Sequence, residues 1–192
     1  MAEVANFNLG QFQQKIKGAV RPNLFQVTHG FPGTVSAPDG DFVSLFCKSA
    51  ALPATSVGTV ELPFRGRVIK VPGDRTFENW TATFYVDDAF SLRAAYERWI
   101  DVTNRVNANV SDVATYQEIL QDIEVQQLDK YGAPGSVRSL RTYKLFQAFP
   151  VSVSQITVAY DNNDSYEEFD VEFAYQYFTT EGVSSNNNMA AI

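Results

Sequence analysis

Along most of this chain apolar and polar residues alternate, and only one long segment departs from that period. In residues 87–107, Leu92, Ala95, Tyr96, Trp99, Ile100, Thr103 and Val106 fall on one side of a 3.6-residue wheel, and Arg93, Glu97, Asp101 and Arg105 on the other. The pattern predicts one amphipathic helix, about residues 88–106, lying against a sheet. Asp87, Asp88 or Ser91 can accept hydrogen bonds from the orphan amides of its first turn. Asp101 and Arg105 have the spacing of a helical ion pair worth only ~0.2–0.5 kcal/mol, so packing of Trp99 and Tyr96 is expected to hold the helix.

The remaining pattern predicts strands. Residues 23–29 are strand-like and end in turns marked by Pro32, Gly33, Pro38 and Gly40. Residues 42–48 form an apolar run of strand length. Residues 49–58 (Ser49, Ala50, Ala51, Leu52, Pro53, Ala54, Thr55 and on to Gly58) read as a loop without a solvating charge. Val60, Leu62 and Phe64 alternate with Glu61, Pro63 and Arg65, and a second short run, 67–71, stops at Pro72 and Gly73; Pro63 points to an edge or a bulge. In residues 77–86, Trp80, Ala82, Phe84 and Val86 share one face. Residues 108–115 and 130–139 read as loops around a strand carrying Ile119, Ile123 and Val125. Two strands are expected at 142–149 and 151–160, a turn at 161–165, and a return strand at 166–178. On that last strand Phe169, Val171, Phe173, Tyr175 and Tyr177 face one way, and Glu168, Asp170 and Glu172 the other.

Fifteen Phe and nine Tyr in 192 residues favour an aromatic, mostly β core of one domain, placed at residues 23–180. Residues 1–22 read as an N-terminal arm that orders on a partner, and residues 181–192 as a flexible tail. A net charge of −7 argues against a basic-patch binder of nucleic acid or anionic membrane. A lone Cys47 cannot form an internal disulfide, and no apolar run is long enough to span a bilayer, which together suggest a soluble protein made in a reducing cytoplasm.

Reactive chemistry is sparse. The single histidine, His29, has no nucleophile and acid arranged around it, and Cys47 in its apolar run reads as an inert thiol. One His and one Cys cannot build a metal cluster. Asp161, Asn163, Ser165, Glu167, Phe169 and Glu172 have the spacing of a calcium loop, but Tyr166 stands where the sharp turn needs glycine. Glu167 and Glu168 point to opposite faces of a strand, so they cannot flank one glycosidic bond. No glycine-rich loop leads through Lys-Ser/Thr into a helix. No catalytic residue, cofactor or metal is expected.

The runs CKSAALP (47–53), PFRGRVIKVPGDRTFENWTATFYVDD (63–88), SLRAAYERWIDVTN (91–104) and AFPVSVSQITVAYDNNDSYEEFDVEFAYQYF (148–178) resemble the tail tube proteins of contractile-tailed bacteriophages, and the resemblance spans most of residues 20–178. It rests on the order of the pieces and not on one motif. It implies two packed antiparallel sheets forming a barrel-like sandwich with one flanking helix. Six copies would close into a ring, and rings would stack into a tube inside a tail sheath above a baseplate hub. A tape-measure protein and DNA would pass through that tube without specific binding. The location implied is the virion tail, reached from the host cytoplasm during assembly. Within that picture the uncharged loop Ser49, Ala50, Ala51, Leu52, Pro53, Ala54, Thr55 is expected between stacked rings, and Glu168, Asp170 and Glu172 toward the lumen. Rival readings are a type VI secretion or phage-tail-like bacteriocin tube and, from another class, a carbohydrate-binding sandwich using Trp80, Tyr85 or Tyr160 as stacking platforms.

Overall fold

Cross-strand pairing brings the aromatic residues together first. A computed structural model describes residues 9–16, 20–130, 138–161 and 163–182. In it β5 (Trp80–Tyr85) runs antiparallel to β8 (Glu168–Ala174), with Trp80 opposite Phe173, Ala82 opposite Val171 and Phe84 opposite Phe169, all six buried. β2 (Cys47–Ala50) flanks β5 on its other side. A second sheet joins β1 (Phe25–His29) to β6 (Gln121–Leu128), β6 to β7 (Ser139–Val153) and β7 to β9 (Tyr177–Gly182). Its buried residues include Val27, Ile123, Val125, Leu145 and Phe178.

β7 belongs to both sheets. Its first part lies between β6 and β9, and its last part, Phe149 to Val153, pairs with β8. A bulge marks the transfer: the register against β6 shifts between Gln121 and Ile123, and Gln147 sits at φ 55° with its amide donating to the Asp122 carboxylate (3.2 Å). Sequence punctuation at Pro150 predicts two strands here, yet the ladder continues through it. Pro150 pairs with Phe173 past the last residues that β6 and β9 pair with β7, so its missing amide costs no ladder bond on that side. The path β1-β6-β7-β8-β5-β2 makes an open, barrel-like sandwich, and among the described residues no ladder joins β1 to β2.

The predicted helix is present and shorter, α3 at Ser91–Thr103 (α1 and α2 are described below). Its start is set by Asp87, whose carboxylate accepts from the Ser91 amide (2.9 Å), the Ser91 hydroxyl (2.6 Å) and the Leu92 amide (3.2 Å). Burial pushes that carboxyl up, but these bonds outweigh it and hold Asp87 below its ordinary pKa. Leu92, Ala95, Tyr96 and Trp99 are buried as the wheel predicts. Tyr96 meets Phe84 (5.3 Å between centroids), Phe173 and Phe169 of one sheet and His29 of the other, so the helix closes the sandwich instead of merely flanking it. Trp99 adds a bond from its indole N–H to the Ile119 carbonyl (2.8 Å). Val106 is 88% exposed because the helix has already ended. The expected Asp101–Arg105 pair is replaced: Arg93 and Glu97 make the i,i+4 bridge (2.8 Å), Arg105 pairs with Asp112, and Asp101 accepts the Val106 amide.

Further corrections concern local structure. Residues 42–48, read as a strand, split into α2 (Gly40–Phe46) and β2. Phe42 and Phe46 stack at 4.2 Å one turn apart while Val43 is buried, and Asp39 at the cap with Asp41 in the first turn was the helix signal. The arm contains α1 (Leu9–Lys15). Ile119 belongs to a 3₁₀ turn, Tyr116–Ile119, ahead of β6. Residues 154–159 are irregular, and the return strand is two strands, β8 and β9, the latter reaching Gly182. Residues 131–137 of the predicted loop and 183–192 of the predicted tail lie outside the described residues.

Candidate functional site

The most exposed regular structure is a hairpin separate from both sheets. β3 (Thr55–Phe64) and β4 (Arg67–Phe77) pair only with each other. Sequence reading stops this element at Pro72 and Gly73, but a bulge where Gly58 meets Gly73 lets the ladder continue to Phe77: a side chain on Gly73 would crowd the Gly58 carbonyl at 3.2 Å. The tip is a two-residue turn, Arg65 and Gly66, both at positive φ (45° and 81°), as the twist of a tight hairpin requires. Register puts Val60 opposite Val71, Leu62 opposite Ile69 and Phe64 opposite Arg67 on one face. The other face carries the Glu61–Lys70 ion pair (3.6 Å). Leu62 and Ile69 are each half exposed and Phe64 is 60% exposed, so the apolar face is left in water by the isolated chain.

The uncharged segment lies at the root of this hairpin. Ser49 and Ala50 end β2, Thr55 begins β3, and the loop proper is residues 51–54. Its backbone is tied to its own body, with the Ala51 carbonyl accepting the Trp80 indole N–H and the Ala54 carbonyl accepting the Tyr175 hydroxyl (3.3 Å). Leu52 nevertheless stays about half exposed.

The acidic strand face is polar and outward. Lys48 bridges Glu168, Thr83 donates to Asp170 (2.7 Å), and Glu172 accepts from Asn79 (2.9 Å) and Ser152 (3.2 Å). These carboxylates are spread along a strand and satisfied by neighbours. Among the described residues no group of three or more His, Cys, Asp or Glu is placed to hold a metal ion. A third surface is a groove of about 490 Å³ lined by Leu45, Phe46, Tyr85, Asp88 and Tyr166.

His29 is a core residue. Its Nδ1–H donates to the Gly30 carbonyl (2.8 Å), which leaves Nε2 to accept the Tyr96 hydroxyl (2.7 Å), and Phe31, Trp99 and Phe173 crowd the ring. Burial lowers its pKa to about 4, keeping it neutral. Cys47 has its thiol pushed by burial up to about 12, which suits an inert side chain. Trp80, a stacking platform in the carbohydrate reading, is buried and hydrogen-bonded, so no sugar can reach its face.

Open strand edges and a hairpin outside both sheets are the surfaces this chain presents to partners, and the comparison with known proteins gives them a context. The family model described as phage tail tube protein matches residues 20–181. The chain belongs to the phage tail tube protein family. This tail tube chain is 27% identical over 158 residues to the tail tube protein gp19 of Enterobacteria phage T4, covering 82% of this chain and 90% of that protein. It is 26% identical over 164 residues to the tail tube protein of Serratia phage KSP90, covering 82% and 86%. Its fold is shared with a chain of the extracellular contractile injection system PVC sheath-tube complex in the extended state (TM-score 0.59, 18% identity, 92% of this chain and 99% of that one). A chain of the anti-feeding prophage baseplate also shares it (TM-score 0.61, 15% identity, 86% and 96%). Family membership makes the tail tube chain a structural protein and not an enzyme.

Proposed function

We propose that six copies of this chain close into a ring and that rings stack into the inner tube of a contractile phage tail, through which DNA is ejected into the host. The observation that carries this reading is the β3–β4 hairpin. At ~3.3 Å per residue its arms are ~30 Å long, and its apolar face has no cover within the described residues. Open edges at β1, β2 and β9 also call for partners, and a head-to-tail ring supplies one to every copy. The loop at the hairpin root, residues 49–55, is assigned to contacts between stacked rings. Tail sheath surrounds the tube, the baseplate hub closes it below, and a tape-measure protein occupies it before DNA does. Relatives from phages T4 and KSP90 favour DNA over an effector as cargo.

Electron microscopy and light scattering of the purified protein over a concentration series test the assembly. Rings or tubes are expected, and a strict monomer at every concentration, even with a baseplate nucleus, counts against it. Glu168, Asp170 and Glu172 are assigned to the lumen, where an acidic wall repels the phosphate backbone and leaves DNA free to slide. Glu168→Lys with Asp170→Lys is expected to leave tubes intact while slowing DNA ejection, most at low salt. Loss of tubes in that variant places the acidic face at an interface instead.

A further inference from the structure

Building on the tube reading, we infer that the tip of the β3–β4 hairpin inserts Phe64 into the groove formed by Leu45, Phe46, Tyr85, Asp88 and Tyr166 of a second copy. Three observations converge on that occupant. The hairpin leaves its own body as a two-stranded arm bonded to neither sheet, so its tip is presented to another molecule. The two surfaces match in character: Phe64, Leu62 and Ile69 are exposed on one, while Leu45 (79% exposed), Tyr85 and Tyr166 (87%) are exposed on the other. A groove of about 490 Å³ has room for a phenyl ring and the aliphatic side chains behind it.

Charge is complementary as well. The hairpin carries four cations (Arg65, Arg67, Lys70, Arg75) against two anions (Glu61, Asp74), in a chain whose net charge is −7. Arg65 and Arg67 flank Phe64 across the turn, with the Arg65 guanidinium 5.5 Å from the Phe64 ring centroid. At the groove, Asp88 is exposed, and the neighbouring cation, Lys48 beside the Tyr85 ring, is already tied to Glu168. A cationic tip around an aromatic knob thus meets an apolar groove with Asp88 at its edge, which favours the right register during encounter. Tip and groove are different surfaces, so the contact is head-to-tail and repeats from copy to copy.

Cysteine cross-linking of the assembled full chain tests this. In a Cys47→Ala background, Phe64→Cys combined with Leu45→Cys is expected to give, on oxidation, a ladder of covalent oligomers in a denaturing gel, and neither single substitution does so. In parallel, Arg67→Asp is expected to slow tube elongation at least tenfold, and adding Asp88→Arg to the same chain to restore most of the rate. Tubes that assemble normally but give no ladder, or a product that stops at a dimer, overturn the tip-in-groove contact and leave the tube reading standing. A wild-type chain that forms neither rings nor tubes defeats both. Should the cysteine pair prevent folding, failure of Asp88→Arg to rescue Arg67→Asp is by itself sufficient to reject the contact.

Discussion

The sandwich body and the β3–β4 hairpin are written in the same alternating code, and they end in opposite environments. On β5 and β8 the apolar positions meet Tyr96 and Trp99 of α3 and vanish from solvent. On the hairpin, Val60, Leu62, Phe64, Ile69 and Val71 alternate just as regularly and remain in water. Period two specifies which residues share a face; it does not say whether the cover comes from the same chain. In the body the cover is intramolecular and the energy goes into folding. On the hairpin the apolar face has no cover within the described residues and stays available for association.

Substitutions can break that contrast, beginning with the body. Trp99→Ala removes a fully buried indole and orphans the Ile119 carbonyl, and a loss of ~3–5 kcal/mol is expected in chemical denaturation, a large share of the ~5–15 kcal/mol typical of a domain. Preserved stability would mean that α3 is not the element closing the core.

Acid acts on the body next. His29 has a folded-state pKa of about 4 against an ordinary 6.5, so below pH 6.5 the unfolded chain binds its proton first. Stability therefore falls as pH drops from about 6.5 to about 4, by up to ~3 kcal/mol, and then levels off for this group. Asp87, held below its ordinary value, adds a loss at lower pH still, as its lowered folded-state pKa is crossed. Thermal unfolding from pH 7 to pH 2 measures both, and His29→Gln is expected to flatten the upper part of the profile.

The smallest stability effect is expected on the hairpin. Leu62→Ser with Ile69→Ser alters exposed side chains, so unfolding is expected to shift by no more than ~0.5 kcal/mol. Tube formation, followed by light scattering, is expected to stop. A variant that loses stability but still polymerises would reverse the division of roles between the two regions.

Legibility in the sequence followed the same line. The buried residues of α3 were readable because Leu92, Ala95, Tyr96 and Trp99 repeat with a helical period that the fold satisfies locally, although the same period carried the face on to Val106, beyond the end of the helix. The outward set of Glu168 and Asp170 was readable because a strand next to a core has only two faces. Other features depended on contacts distant in sequence. Pro150 ends a strand only if both its neighbours are paired, and here one side is free. Pro72 and Gly73 stop a strand unless Gly58 lies opposite to admit a bulge. α2 was hidden because seven residues are too few for periodicity to separate a helix from a strand, leaving only Asp39 and Asp41 as cues. Shared ancestry with tail tube proteins was visible in the order of segments, whereas the projecting hairpin was not, since alternation alone predicts a covered face.

β7 has a mechanical consequence. Two sheets that merely stack can slide over each other, since only side-chain contacts resist the motion. Here one uninterrupted backbone is laced by hydrogen bonds into both, and its crossing point is pinned at Gln147 by Asp122. Shear between the layers has to break a ladder, not just disturb packing. A load arriving at one face is passed by main-chain bonds to the other, so each subunit answers compression and twist as a single stiff plate with no internal slip plane.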